Sequence, residues 1–321
     1  MNKDVEKSRL RISRRRALAV GGTVSLGGLI AACTGNGSSS TSASATSTAT
    51  ASSATTTSAD TVTALLDQAP QCVLAVEETQ GPYWFDVDSI RSDIREDRPG
   101  TDLQLALRVQ DLTNCSADGS AAVVSNAVVE IWHCDAGGVY SGFESGSKAA
   151  DLSGNGAPAG APPAGGPGGG QPPAGGPGVP GAGGPGGDMS GGSGETSDGS
   201  YSVGDSEATT TDDGTYLRGA QTTDANGIAQ FTTVFPGWYI SRTTHIHLKV
   251  HIDKKTVLTT QLFFDEALLD EVYATAPYSD HTGRENNVNN STDSIYDDAG
   301  LLTVAKQSDG YLAAINLGID V

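Results

Sequence analysis

Basic residues are scarce in this chain. Lys and Arg number 19 against 38 Asp and Glu over 321 residues, a formal charge of −19. Nucleic acid is held by clustered cations, so this balance argues against it as a partner. It also gives no basis for attraction to an anionic membrane surface. Cysteines number four and none is spaced C-x-x-C, which counts against a Cys/His zinc site. No confident membrane-spanning apolar run is present either: the run Ala17–Ala32 is too short. Histidine occurs only five times, so two of them in one apolar strand carry weight.

The N-terminus is read as a targeting segment. Seven Lys/Arg and two Asp/Glu precede Cys33, a net of +5, which leaves −24 (−19 minus 5) for the rest. Ser13-Arg14-Arg15-Arg16-Ala17-Leu18 resembles a twin-arginine signal, with Ala17 where Phe is commoner. The weakly apolar run Ala17–Ala32 follows, and Ile30-Ala31-Ala32-Cys33 resembles a lipobox. The expectation is export by the twin-arginine route, lipidation of Cys33, and anchoring at the outer face of the cell membrane through that lipid alone. Residues 34–70 are mostly Ser, Thr and Ala, and read as a flexible tether.

The remaining stretch, 71–321, is read as one catalytic domain with a low-complexity insertion at 150–200. Residues 151–200 hold 20 of the 42 Gly and 9 of the 14 Pro, with no G-X-Y period to suggest collagen. Disorder is expected there. Cys72, Cys115 and Cys134 meet oxidising conditions after export; three thiols allow one disulfide in three pairings, with one thiol left over.

The folded part reads as all-β. Leu103–Val109 alternates with period two, and Ala127–Trp132, Ile228–Val234, Thr244–Ile252 and Thr256–Phe264 read as further strands. Asn226-Gly227 marks a turn, and a helix is expected near Glu266–Tyr273. Short strands at this spacing predict an antiparallel β-sandwich with few short helices.

His245-Ile246-His247 lies within one of these strands. Residues i and i+2 face one way, with Cβ atoms roughly 6.5–7 Å apart, so both imidazoles can reach one metal ion. His251 shares their parity and is a competing ligand. Tyr239, in Pro236-Gly-Trp-Tyr239, and Tyr140, in Gly138-Val-Tyr-Ser-Gly142, lie in the neighbouring motifs. A buried Tyr needs a partner for its hydroxyl, and a metal is one such partner. Phenolate is a hard anion that favours iron(III), and two phenolates with a hydroxide neutralise the ion.

Four blocks in order resemble the intradiol ring-cleavage dioxygenases, the catechol and protocatechuate 3,4-type family. They are Thr79–Tyr83, Val129–Tyr140, Phe235–His247 and Thr260–Phe264. The resemblance spans about residues 71–275 and implies that family's β-sandwich. It implies Fe(3+) held by Tyr140, Tyr239, His245 and His247, with Tyr140 equatorial and Tyr239 axial. Tyr239, Arg242 and Gln261 then match catalytic positions, and Tyr83, Gly138 and Trp238 match substrate-contacting ones. The implied partners are a small aromatic diol and O2. One departure stands out: only six positions separate Tyr239 from His245, a shorter loop than in the better-known members. Two other readings compete. One is a non-catalytic transthyretin-like binding module. The other is a zinc or copper enzyme using His245, His247 and His251.

Overall fold

Strand β1 (Asp102–Asp111) explains the architecture, because both its faces are covered. Leu103, Leu105, Leu107 and Val109 point one way into the main core, and Ala106 points the other way into a second cluster. The computed structural model describes residues 58–113, 115–116, 121–145 and 196–321. Besides β1, it contains β2 (Ala122–Val123), β3 (Val128–Trp132), β4 (Arg218–Thr222), β5 (Ile228–Val234), β6 (His245–Ile252), β7 (Lys255–Phe263), β8 (Thr303–Gln307) and β9 (Gly310–Ile319).

Two sheets result. In one, β1 pairs with β2 and β5 along one edge and with β9 along the other, and β8 closes the far side. The second runs β4-β3-β6-β7, antiparallel throughout. The main core lies between the sheets, where Val129, Ile131, Ile246, Leu248, Val250 and Leu262 meet the inner residues of β1, β5 and β9. The expected sandwich is therefore present. It departs from a purely antiparallel one in the β1–β9 pair, which is parallel over ten residues. The strand periodicity could not reveal that direction, since alternation is the same in both cases.

Each sheet also has a covered outer face. Helix α1 (Ala59–Gln68) lays Val62, Leu65 and Leu66 on Ala106, Leu312 and Ala314. Ser58 caps it by accepting from the Thr61 amide, and Asn316 Nδ2 donates to the carbonyls of Leu66, Ala69 and Pro70. This corrects the expected tether, whose last residues are a docked helix. An i, i+3, i+4 apolar triplet survives inside the Ser/Thr/Ala background and buries one face. Helix α2 (Glu266–Tyr273) forms where expected, capped by Asp265.

The disulfide joins Cys72 to Cys115, and Cys134 is a buried free thiol. The twin-arginine and lipobox motifs, including Cys33, lie outside the described residues, as does most of the 150–200 insertion. Residues 196–200, the end of that expected insertion, are described. Ser197 and Ser200 donate to Asp86 and Asp88 there.

Candidate metal centre

Strand β6 shows three apolar residues to the core and four polar ones to the opposite side. Ile246, Leu248 and Val250 face inward. His245, His247, Lys249 and His251 share the outer face by their parity, yet all four are buried. Their cover is an aromatic layer of Trp84, Trp132, Tyr140 and Phe143, with Tyr83 and Tyr239 packed against it.

Within this layer three donor atoms converge. Tyr239 Oη lies 3.0 Å from His245 Nε2, and His245 Nε2 lies 3.1 Å from His247 Nε2. Tyr140 stands beside them, its ring centroid 5.8 Å from that of Tyr239 and 6.1 Å from that of His247. The carbonyl of Thr243 lies 2.7 Å from His245 Nδ1. A carbonyl only accepts, so the proton of His245 sits on Nδ1 and its Nε2 lone pair is directed at the other donors. Burial, reinforced by the positive charge of Arg242, drives both imidazole pKa values well below 6.5, so both rings are neutral. Burial likewise pushes the Tyr140 and Tyr239 phenols up.

This donor set fits a hard cation. Adjacent ligands each about 2.1 Å from one ion sit roughly 3.0 Å apart, close to the two separations here. The two phenols, once deprotonated, would supply two of the three negative charges that neutralise a buried trivalent ion, leaving one for a hydroxide, and the two imidazoles add neutral donors. His251 does not join them. A bulge between Val250 and His251 precedes it, and its ring nitrogens meet Glu130 Oε2 at 3.2 Å and Thr256 Oγ1 at 3.0 Å. No group of three or more His, Cys, Asp or Glu that could hold a metal occurs among the described residues. The three-histidine arrangement is therefore not formed.

The short loop before β6 is held from outside. Asn287 Nδ2 donates to the carbonyls of Tyr239 and Arg242, and Asn287 Oδ1 accepts from the Ser241 amide. Asp293 accepts from the Thr243 amide at 2.7 Å and from Arg242 Nε at 2.9 Å. Arg242 Nη2 then donates to Gln261 Oε1 at 2.6 Å, and Gln261 Nε2 to the Thr79 carbonyl at 3.0 Å. Arg242 and Gln261 are thus one hydrogen-bonded unit. Gln261 stands opposite His247 in the sheet. Asn287 and Asp293 escaped the sequence reading, since they lie about 50 residues away with no local motif.

Other expected site residues fall at varying distance from the donors. Tyr83 packs on Tyr140 and Phe143, with centroids 4.9 and 5.0 Å apart. Gly138 serves the turn after Asp135, at φ +80°. Trp238 stacks on His281 at 4.0 Å and its Nε1 donates to the His281 carbonyl, so its ring is engaged there. Three residues not anticipated take part. Trp132 stacks flat on His247 at 4.9 Å, Arg218 bonds Ser141 next to Tyr140, and a Cβ on Gly81 would lie 3.1 Å from the His247 ring. Trp132 was visible within the second block; Arg218 had no signal of its own.

The fold is similar to that of solved structures. An intradiol ring-cleavage dioxygenase from Tetranychus urticae is 25% identical, with a TM-score of 0.54, over 78% of this chain and 95% of that one. A second dioxygenase crystal structure is 26% identical at the same TM-score and coverage. No family model and no curated protein matches the chain. The chain has the fold of the intradiol ring-cleavage dioxygenases and resembles that family.

Proposed function

We propose that the protein is a non-haem iron(III) dioxygenase that opens the ring of a catechol-type diol between its two hydroxylated carbons. The observation that carries this reading is the convergence of Tyr239, His245 and His247 beside Tyr140 on a buried sheet face. The similarity to ring-cleaving dioxygenases supports it. A binding module gives no reason for two buried imidazole nitrogens and a phenol oxygen to gather at about 3 Å.

When bound, iron(III) would act as a Lewis acid that takes up the diol oxygens and makes the ring reactive toward O2. The chain supplies the rest. With iron(III) bound Tyr239 would be a phenolate, and its Oη would then receive a proton from the entering diol as general base. The proton on His245 Nδ1, fixed by Thr243, keeps Nε2 available as a donor. Arg242, oriented by Asp293 and bonded to Gln261, would stabilise the negative charge that develops on the substrate. Trp132, Tyr140, Phe143 and Tyr83 exclude water. Both atoms of O2 enter the dicarboxylate product, so no external reductant is consumed.

Protein purified from iron-replete cells should be reddish from tyrosinate-to-iron charge transfer and should take up O2 with catechols. His247→Ala should remove the iron and the colour. A colourless wild type without ring-cleaving activity, or a His247→Ala variant with full iron, refutes the assignment. Export and Cys33 lipidation are proposed on the N-terminal motifs, and loss of labelled fatty acid in Cys33→Ala tests them.

A further inference from the structure

Glu78 precedes the Thr79–Tyr83 block and is tied to the second sheet through its backbone: its amide donates to the Thr259 carbonyl at 2.8 Å. The next carbonyl, that of Thr79, is the one Gln261 holds. Two residues further on, Gly81 stands so near the His247 ring that a Cβ there would lie 3.1 Å from its Cε1. The backbone around Glu78 is therefore built into the rim of the donor cluster.

Its carboxyl is placed unusually. Oε2 is buried and has no hydrogen-bond partner among the described residues. Burial raises its pKa to about 8 in spite of the Arg242 guanidinium, and Asp297 and Asp293 add to the rise. Arg242 is close enough to influence Glu78, Tyr239, His245 and His247 alike. It is nevertheless committed to Asp293 and Gln261. A buried acceptor with nothing to accept carries a penalty until a ligand satisfies it. The charges that act on it are those of Asp293, Asp297 and an arginine already engaged, a field unfavourable to an added anion.

We propose that Glu78 determines substrate specificity, by hydrogen bonding to an uncharged donor on the ring, such as an additional hydroxyl, and by disfavouring a ring carboxylate. The inference rests on the dioxygenase reading above and names the substrate class of that site: hydroxylated rather than carboxylated catechols.

The test uses iron-loaded wild type, Glu78→Gln and Glu78→Leu, with kcat and KM for catechol, 1,2,4-trihydroxybenzene and 3,4-dihydroxybenzoate. In Glu78→Leu the kcat/KM ratio of trihydroxybenzene to catechol should fall about tenfold, mainly through KM, because one satisfied buried polar contact is lost. Glu78→Gln keeps a hydrogen-bonding group without a titratable charge. It should hold that ratio within about threefold and raise the ratio of dihydroxybenzoate to catechol above pH 8. Unchanged ratios in both variants, or an equal fall for all substrates, overturn the inference while leaving ring cleavage established. Absence of ring cleavage in the wild type overturns the dioxygenase reading and this inference together.

Discussion

Gly81→Ala probes the contact between the 79–83 block and the centre. Gly81 has φ +71°, and a Cβ there would lie 3.1 Å from His247 Cε1 and 3.5 Å from Nε2. The backbone conformation alone costs an alanine about 1–2 kcal/mol. The contact adds to this, since carbon pairs settle at about 3.5–4.0 Å. The ring cannot retreat freely, because Trp132 is stacked flat on it at 4.9 Å. A total near 2–3 kcal/mol is expected, read from urea unfolding with an unchanged m-value. A displaced imidazole should also lower iron occupancy, and turnover about tenfold. Gly204→Ala is the control. Gly204 has φ +94° with nothing within 4 Å of its would-be Cβ, so it carries the backbone cost without the contact. If the two variants lose equal stability and Gly81→Ala keeps full iron and activity, the 79–83 block does not constrain the His247 ring, and the reasoning fails.

Asn316→Ala should cost about 1–3 kcal/mol, because three carbonyls at the end of α1 lose their donor. Proteolytic cutting near residue 70 should then accelerate. Cys72→Ser opens a link across 43 residues, and loop entropy predicts a loss of about 4 kcal/mol in denaturant titrations. Glu78 should make stability depend on pH. Its folded pKa of about 8 lies above the ordinary 4.5, so the folded state holds the proton more tightly. The associated stability is full below pH 4.5 and is lost as pH rises toward 8. Glu78→Gln should therefore raise Tm more at pH 8 than at pH 5; an equal change at both would contradict the burial argument.

Much of the sandwich was legible because its strands alternate. Leu103–Val109 and Thr244–Ile252 announce a buried face by period two alone, and α2 forms at the expected place. The end strand β9 gave no such signal. Both its faces are covered, by the core on one side and α1 on the other, so its apolar residues run together. Helix α1 was hidden by composition: three apolar residues suffice to dock it, but they sit in a Ser/Thr/Ala-rich stretch.

The sequence by itself determined which donors could meet. The i, i+2 spacing of His245 and His247 puts them on one face of a strand in any register. The four ordered blocks, not any one residue, raised the tyrosines from ordinary aromatics to candidate ligands. Only the tertiary structure decided which groups meet. Parity made His251 the equal of His245 and His247, but a bulge and the buried Glu130 carboxylate take it elsewhere. Spacing gave no position for Tyr239, because a six-residue loop can point its side chain either way. Asn287, Asn290 and Asp293, far along the chain, hold that loop and bring the hydroxyl to 3.0 Å from His245. Local pattern sets a side chain's face, and long-range hydrogen bonds to buried polar groups set its partner.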